Sequence, residues 1–378
     1  MAAKSVQMNA SRACTALVLS GGGARGAYQA GVMMGLRQLG LFQENRQPFD
    51  VFVGTSAGSL NCSLLAAYTH QPLLGLTEME QVWSQLHASQ VFRTGIWSML
   101  ANGLGWMRDL SLGGLLGNVS PRFLLDTAPF RRLLGRLPWG RLSQNLREGH
   151  YRALGVLATN YTTSSGVFFL QDEGRTEPWH KVRYRVERAE IGMEHVMASS
   201  AIPVIFPAVP IGSCYYGDGS LRNTAPLGPA IQLGARKIVA VGVREAGDST
   251  PSPPPGTAPK LADVVGLLLD AVLLDAIEVD VQHCLRLNKL AAAQPENFHP
   301  VDVLWLRPSR NLAHLAQRTE RRMPPLVRYL MRGLGDHQAS AELASYLIFE
   351  GEYCRSLMAA GLEDVLDRRE EVLEFFAR

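Results

Sequence analysis

The stretch CTALVLSGGGARGAYQAGVMMGLRQLG (residues 14–40), with FDVFVGTSAGSLNCSLLAAY (residues 49–68) close behind it, decides the fold class. CTALVLS is short, apolar and closed by glycines, the pattern of a buried strand. After the six residues GGGARG, the segment AYQAGVMMGLRQLG carries Tyr28, Val32 and Leu36 at four-residue spacing and stops on Gly40, which predicts a helix. FDVFV repeats the strand pattern, GTSAG forms a sharp junction, and SLNCSLLAAY continues as helix. Two successive βα units predict a parallel sheet with helices on both faces.

Further along the chain, strand-like runs return at ALGVLAT from Ala153, GVFFLQ from Gly166, PVIFPAV from Pro203, KIVAVGV from Lys237 and VDVLWL from Val301. The sheet is therefore expected to extend through most of the sequence. Between the second and third strands the pattern turns irregular. Glycines mix there with Trp97, Leu104, Trp106, Leu110, Leu115 and Leu116, which predicts a cap of short helices and loops over about residues 89–150. MEHVMASS and PLGPAIQLGA read as helical, and GDSTPSPPPGTAP (residues 247–259), with five prolines, reads as a polyproline-like loop. The expected architecture is a three-layer α/β/α domain with a mostly parallel central sheet over residues 14–310. Residues 311–378 form a helical extension packed on it.

Composition narrows the function. The chain has 378 residues, 47% of them apolar, enough for a substantial core. Lys and Arg total 37 against 34 Asp and Glu, so the net charge is 37 − 34 = +3, and no general nucleic-acid footprint is present. The charged fraction of 19% lies below the roughly 25% of ordinary soluble domains. Five cysteines (Cys14, Cys62, Cys214, Cys284 and Cys354) are scattered without a CxxC pair, which predicts neither a disulfide framework nor a thiolate zinc site and points to a reducing, cytoplasmic setting. The first thirteen residues are polar and the apolar run after them is short, so no secretory signal is expected. LADVVGLLLDAVLLDAIEVDV from Leu261 is interrupted by Asp263, Asp270, Asp275, Glu278 and Asp280, whereas a spanning helix needs about 20 nearly uncharged residues. Membrane contact is expected to be peripheral.

Two glycine-rich junctions carry the chemistry. Gly21, Gly22, Gly23, Ala24, Arg25 and Gly26 lie between a strand and a helix start, where backbone N–H groups and the helix dipole suit an anion. Gly21, Gly23 and Gly26 also match the dinucleotide fingerprint. That reading needs an acid at the end of the second strand, yet the nearby acid, Asp50, precedes the strand. Gly54-Thr55-Ser56-Ala57-Gly58 has the G-x-S-x-G pattern of a nucleophile elbow, with an N-capping serine as the plainer alternative. Both junctions fall at the C-terminal ends of adjacent parallel strands, where α/β sheets place their sites. A loop of amide donors there suits the oxyanion that attack by Ser56 would create. No histidine stands in an obvious catalytic context: His195 lies in a helical run, and His283, His299, His314 and His337 follow the proline loop. Asp218, on the turn Gly217-Asp218-Gly219-Ser220, is the sharper candidate base, with a plain Asp-Gly turn as its alternative.

GGGARG, GTSAG, ASSAIPVIFPAV (residues 198–209) and the later Asp-Gly together resemble the patatin-like phospholipase family, in matching order over roughly residues 16–243. The resemblance implies that Ser56 is the nucleophile and Asp218 its only partner in a dyad without histidine. It implies that Gly21, Gly22, Gly23, Ala24, Arg25 and Gly26 form the oxyanion hole, and that lipid acyl esters, most readily phospholipids or lysophospholipids, are hydrolysed with no metal or other cofactor. The usual Asp-Gly-Gly or Asp-Gly-Ala is here Asp218-Gly219-Ser220. Two rival readings are an α/β-hydrolase with a Ser-Asp-His triad and a nucleotide-binding Rossmann oxidoreductase. Arg25 either meets a lipid phosphate or fixes the loop through a salt bridge. Seven arginines over residues 121–152, and a second basic cluster at Arg318, Arg321, Arg322, Arg328 and Arg332, suit either a solvated helical face or an anionic lipid surface.

Overall fold

The computed structural model describes residues 13–93, 123, 125–245, 275–293, 299–317 and 345–378, apart from single or paired positions at 175, 178, 182–183 and 224. The heart of the expected cap, the proline loop, residues 261–274 and the basic cluster at 318–332 lie outside the described residues. So does His337.

The first strand, β1 (Thr15–Leu19), is buried at every position, and so are β2 (Val51–Thr55), β3 (Ala153–Asn160) and β9 (Lys237–Val241). Strands covered on both faces cannot alternate apolar with polar, which is why these segments read as continuous apolar runs. Successive side chains still point to opposite faces. Leu17, Leu19 and Phe52 enter one core, whereas Ala16, Val18, Val51 and Val53 enter a second core on the other side of the sheet.

The remaining strands are β4 (Ser165–Asp172), β5 (His180–Lys181), β6 (Tyr184–Arg188), β7 (Val209–Ile211), β8 (Cys214–Asp218) and β10 (Asp302–Leu306). The sheet order is β10-β9-β1-β2-β3-β4-β6-β5, with β8 paired to β3 and β7. Every pairing from β10 through to β3 is parallel, and β4 and β8 join β3 antiparallel. Helices α1 (Gly26–Gln38), α2 (Ala57–Ala67) and α3 (Pro72–Ser84) follow the first two strands. Short helices at Ala88–Val91, Ala128–Leu134 and Gly140–Arg147 fall between β2 and β3. The C-terminal helix Gly351–Asp367 is tied to α1 by Tyr28, whose phenol donates to Asp364 Oδ2 at 2.8 Å.

One expected strand is corrected. PVIFPAV is not extended from Pro203: residues 203–206 form a turn with Val204 at φ 69°, and pairing starts only at Val209. Pro203 and Pro207 have no N–H for a ladder, so an apolar run that looks like a strand bends instead. Cys62, Cys214, Cys284 and Cys354 form no disulfide. Among the described residues no helix is long and apolar enough to cross a membrane.

Candidate active site

Ser56 follows β2 in a conformation that few non-glycine residues adopt, φ 53° and ψ −124°. Such strained positions cost on the order of 1–3 kcal/mol and persist only where the surroundings enforce them. Here the enforcement is visible. A Cβ on Gly54 would stand 2.4 Å from Gly58 O, and one on Gly58 would stand 2.4 Å from Leu19 O, so the turn is too tight for side chains at either flank. The Ser56 carbonyl accepts from Ser59 N at 2.8 Å and starts α2. Its amide donates to Ser199 Oγ at 2.9 Å, and the Ser199 hydroxyl donates in turn to Leu157 O of β3 at 2.5 Å.

Asp218 reaches the same place from the opposite direction. Along one flank of β3, β2 runs parallel and ends with Thr55 opposite Leu157, while β8 runs antiparallel and ends with Asp218 opposite Ala158. Both strands deliver their last residues to adjacent positions. Asp218 is fully buried; its amide donates to Ala201 O at 2.9 Å, and its carbonyl accepts from Thr159 Oγ1 at 2.8 Å. Oδ1 accepts from Ser220 N at 2.9 Å. Oδ2 is buried and completes no hydrogen bond of normal geometry, although the Ser56 hydroxyl is near enough to stabilise the ionised carboxylate. Burial pushes this carboxyl's pKa up, and the Ser220 amide, the Ser56 hydroxyl and the Ser220 side chain oppose that shift. A desolvated carboxylate with one oxygen unfilled, facing a hydroxyl, is equipped to take a proton.

The glycine loop closes the third side. Gly21 packs against the elbow: a Cβ there would stand 3.1 Å from Ser56 Cβ and 2.9 Å from Ser220 Oγ. Arg25 N donates to Gly22 O at 3.1 Å, and Gly26 also spends its amide within the turn. Both ends of the loop are gripped by buried amide side chains. Gln29 Nε2 donates to Ser20 O at 2.8 Å, Asn61 Nδ2 donates to Gly26 O at 3.0 Å and to Gln29 Oε1 at 3.0 Å, and Trp83 Nε1 donates to Asn61 Oδ1 at 2.8 Å. Arg25 is itself buried: Nε donates to Ser345 Oγ at 2.8 Å, and the guanidinium stands 4.4 Å over the Tyr346 ring. The packing holds the Arg25 side chain through a hydroxyl and an aromatic face.

Beside Ser56 and Gly23 opens an apolar cavity. Its walls include Leu60, Trp83, Ile202, Phe206 and Phe349, a lining suited to a hydrocarbon chain. No described histidine lines it. His195 packs edge-on against Phe169 at 4.7 Å and accepts from Gly192 N at 3.1 Å, and His283, His299 and His314 are exposed. Asp50 lies at the N-terminal end of β1 and β2, where Oδ2 accepts from Thr15 N at 2.8 Å, the opposite end of these strands from the glycine loop. Among the described residues no group of three His, Cys, Asp or Glu side chains is arranged to hold a metal ion.

The family model for patatin-like phospholipases matches residues 17–231, more than half of the chain. The chain belongs to the patatin-like phospholipase family. Membership places it among lipid acyl hydrolases. Similar solved structures include VipD from Legionella pneumophila, 14% identical with a TM-score of 0.35, covering 92% of this chain and 67% of that one. They also include human GIVD cytosolic phospholipase A2 in complex with methyl γ-linolenyl fluorophosphonate, 12% identical with a TM-score of 0.43, covering 97% of this chain and 59% of that one. The chain thus spans about three fifths of the length of the human protein. No match to a curated protein was found.

Several residues at the site escaped the sequence reading. Ser199 sits inside a motif quoted for the family likeness, with no role attached to it. Asn61 and Gln29 were legible only as polar residues on otherwise apolar helices, a weak sign of a buried network. Ser345 and Tyr346 carried no signal at all, because their partner Arg25 is 320 positions from Ser345.

Proposed function

We propose that this patatin-like chain cleaves fatty-acyl esters of phospholipids or lysophospholipids through a Ser56–Asp218 dyad. The observation that carries the reading is the head-on approach of β2 and β8, whose last residues pair with neighbouring positions of β3, with Ser56 also lining the apolar cavity. Ser56 Oγ attacks the ester carbonyl carbon as its proton passes to Asp218, and the carbonyl π pair moves onto oxygen. The amides of Gly22, Gly23 and Ala24 receive that oxyanion. Each such donor is typically worth about 3–4 kcal/mol in the transition state. Collapse expels the alcohol, which takes the proton from Asp218 and leaves an acyl-Ser56. Water then attacks the acyl carbon, loses its proton to Asp218, and releases the fatty acid while Ser56 Oγ is reprotonated.

Gly54, Thr55, Ala57 and Gly58 shape the elbow, and Gly219 with Ser220 shapes the turn that aims Asp218. Neither a metal nor another cofactor enters these steps. Residues 14–310 are read as the catalytic domain, residues 89–150 as its cap and residues 311–378 as an extension packed on it, with peripheral contact to a lipid surface supplying substrate.

A fluorophosphonate probe and product analysis test this reading. The probe is expected to label the native protein and to leave Ser56→Ala unlabelled, and mixed-chain phospholipids are expected to release fatty acid. Labelling that persists in Ser56→Ala removes the nucleophile assignment, and turnover of neutral glycerides alone removes the phospholipid assignment.

A further inference from the structure

Residues 345–349 lie more than a hundred positions beyond the family match, which ends at residue 231, yet they touch the site on two sides. Arg25 donates to Ser345 Oγ and lies over the Tyr346 ring. The Tyr346 carbonyl fills the space beside Gly23, where a Cβ would come within 2.3 Å of it, and Gly23 is held at φ 55°. Three residues further on, Phe349 is part of the cavity wall and meets Phe92 edge-to-face at 6.2 Å. All five residues are buried. The segment is anchored just downstream, where Glu350 bridges to His87.

We infer that residues 345–349 act as a strap that sets the oxyanion loop, with Ser345 as a positioning residue for the acyl-transfer step. The strap presupposes the reading of the glycine loop as the oxyanion hole. Donor amides accelerate a reaction only when held within a few tenths of an ångström of where charge develops. Most of this loop is glycine, so its own backbone entropy works against one fixed conformation. Gln29 and Asn61 hold its two ends, at Ser20 O and Gly26 O. Its middle is held from outside, by the Arg25 side chain against Ser345 and Tyr346 and by the Tyr346 carbonyl against Gly23. The hydroxyl of Ser345 thus acts through Arg25 on the amides of Gly22, Gly23 and Ala24, without touching substrate.

The test compares Ser345→Ala, Ser345→Thr and Arg355→Ala with the native chain, using p-nitrophenyl butyrate turnover, the fluorophosphonate labelling rate and thermal melting. Ser345→Ala is expected to lower kcat about tenfold with KM within twofold, and to slow labelling by a similar factor, because the phosphonyl oxygen occupies the same amide site. Ser345→Thr, which keeps the hydroxyl, is expected to recover most of both rates. Arg355→Ala removes an exposed contact of the helix Gly351–Asp367, which follows the strap, and is expected to lower Tm with kcat unchanged. Where Ser345→Ala yields no folded protein, Tyr346→Leu removes the ring beneath the guanidinium and serves in its place with the same expected loss. Native-like kcat and labelling in the folded variant overturn the strap, as does an equal loss in Arg355→Ala. A native chain that neither labels nor turns over overturns instead the hydrolase reading beneath it.

Discussion

Thr55 and Asp218 are the last residues of two strands that run toward each other along one flank of β3, and they pair with Leu157 and Ala158, neighbours in that strand. That register brings the ends of β2 and β8 to neighbouring positions along β3. The residue after Thr55 is Ser56, so the hydroxyl and the carboxylate, 218 − 56 = 162 positions apart, arrive within reach without a long loop to bridge them. Strand ends fixed by ladder hydrogen bonds on β3 hold this approach more rigidly than two free loops would.

Asp218→Asn is expected to abolish turnover and to stabilise the fold. Burial raises the carboxyl's pKa in the native state above its unfolded value, so the native state binds the proton more tightly. Stability contributed by this group is then present at low pH and is lost as pH rises from the ordinary carboxyl range through the raised native value. Melting curves of the two proteins should therefore diverge in favour of the Asp218→Asn variant as pH increases above about 4. Curves that stay parallel across that range would refute the desolvated carboxylate.

The same shift sets the acid limb of activity. The base must be ionised to accept the Ser56 proton, so kcat/KM is expected to rise with pH through an apparent pKa above the ordinary Asp value of about 3.9. A pH–rate profile on a soluble ester measures it. An acid limb at or below that value would mean a solvated carboxylate.

Ser56→Gly is expected to lose activity and gain stability. At φ 53° the serine carries backbone strain of about 1–3 kcal/mol, which glycine relieves, while glycine costs roughly 0.5–1 kcal/mol in entropy. A net gain of about 1 kcal/mol in chemical denaturation is expected. A destabilised variant would place the strain elsewhere.

Ser199→Ala removes one hydroxyl that serves two buried backbone groups, Ser56 N–H and Leu157 O. Leaving each unpaired costs about 1–3 kcal/mol, so urea unfolding should show a loss of several kcal/mol. Misplacement of the elbow should lower kcat by about tenfold or more. Wild-type kcat in the folded variant would show that the elbow holds its own geometry.

Leu60→Trp fills part of the cavity beside Ser56. Hydrolysis of a long-chain acyl ester is expected to fall at least tenfold in kcat/KM while a butyryl ester stays within threefold, because only the longer chain needs the occupied volume. Equal losses on both esters would assign the cavity another use.

Short-range pattern was enough for β1, the glycine loop and α1, and again for β2, the elbow and α2, because each strand, tight turn and helix there is governed by residues within a few positions. The edge strand β5 and its neighbour β6 went unread. His180–Lys181 is two residues long and YRVER alternates polar and apolar residues on a half-exposed flank, so neither offers the apolar run that marks a buried strand. PVIFPAV misled in the other direction, since Phe206 in its turn serves the cavity wall rather than a ladder.

Composition, periodicity and glycine placement determined by themselves that this chain builds a parallel α/β sheet with an anion-receptive loop and an elbow serine side by side. Those features depend on local sterics and on which faces must leave water. That β2 and β8 end at neighbouring positions of β3, and that Arg25 meets Ser345 across 320 positions, depended on strand register and long-range packing. No local preference encodes such pairings; they emerge only when the whole core closes and each buried polar group must find a partner.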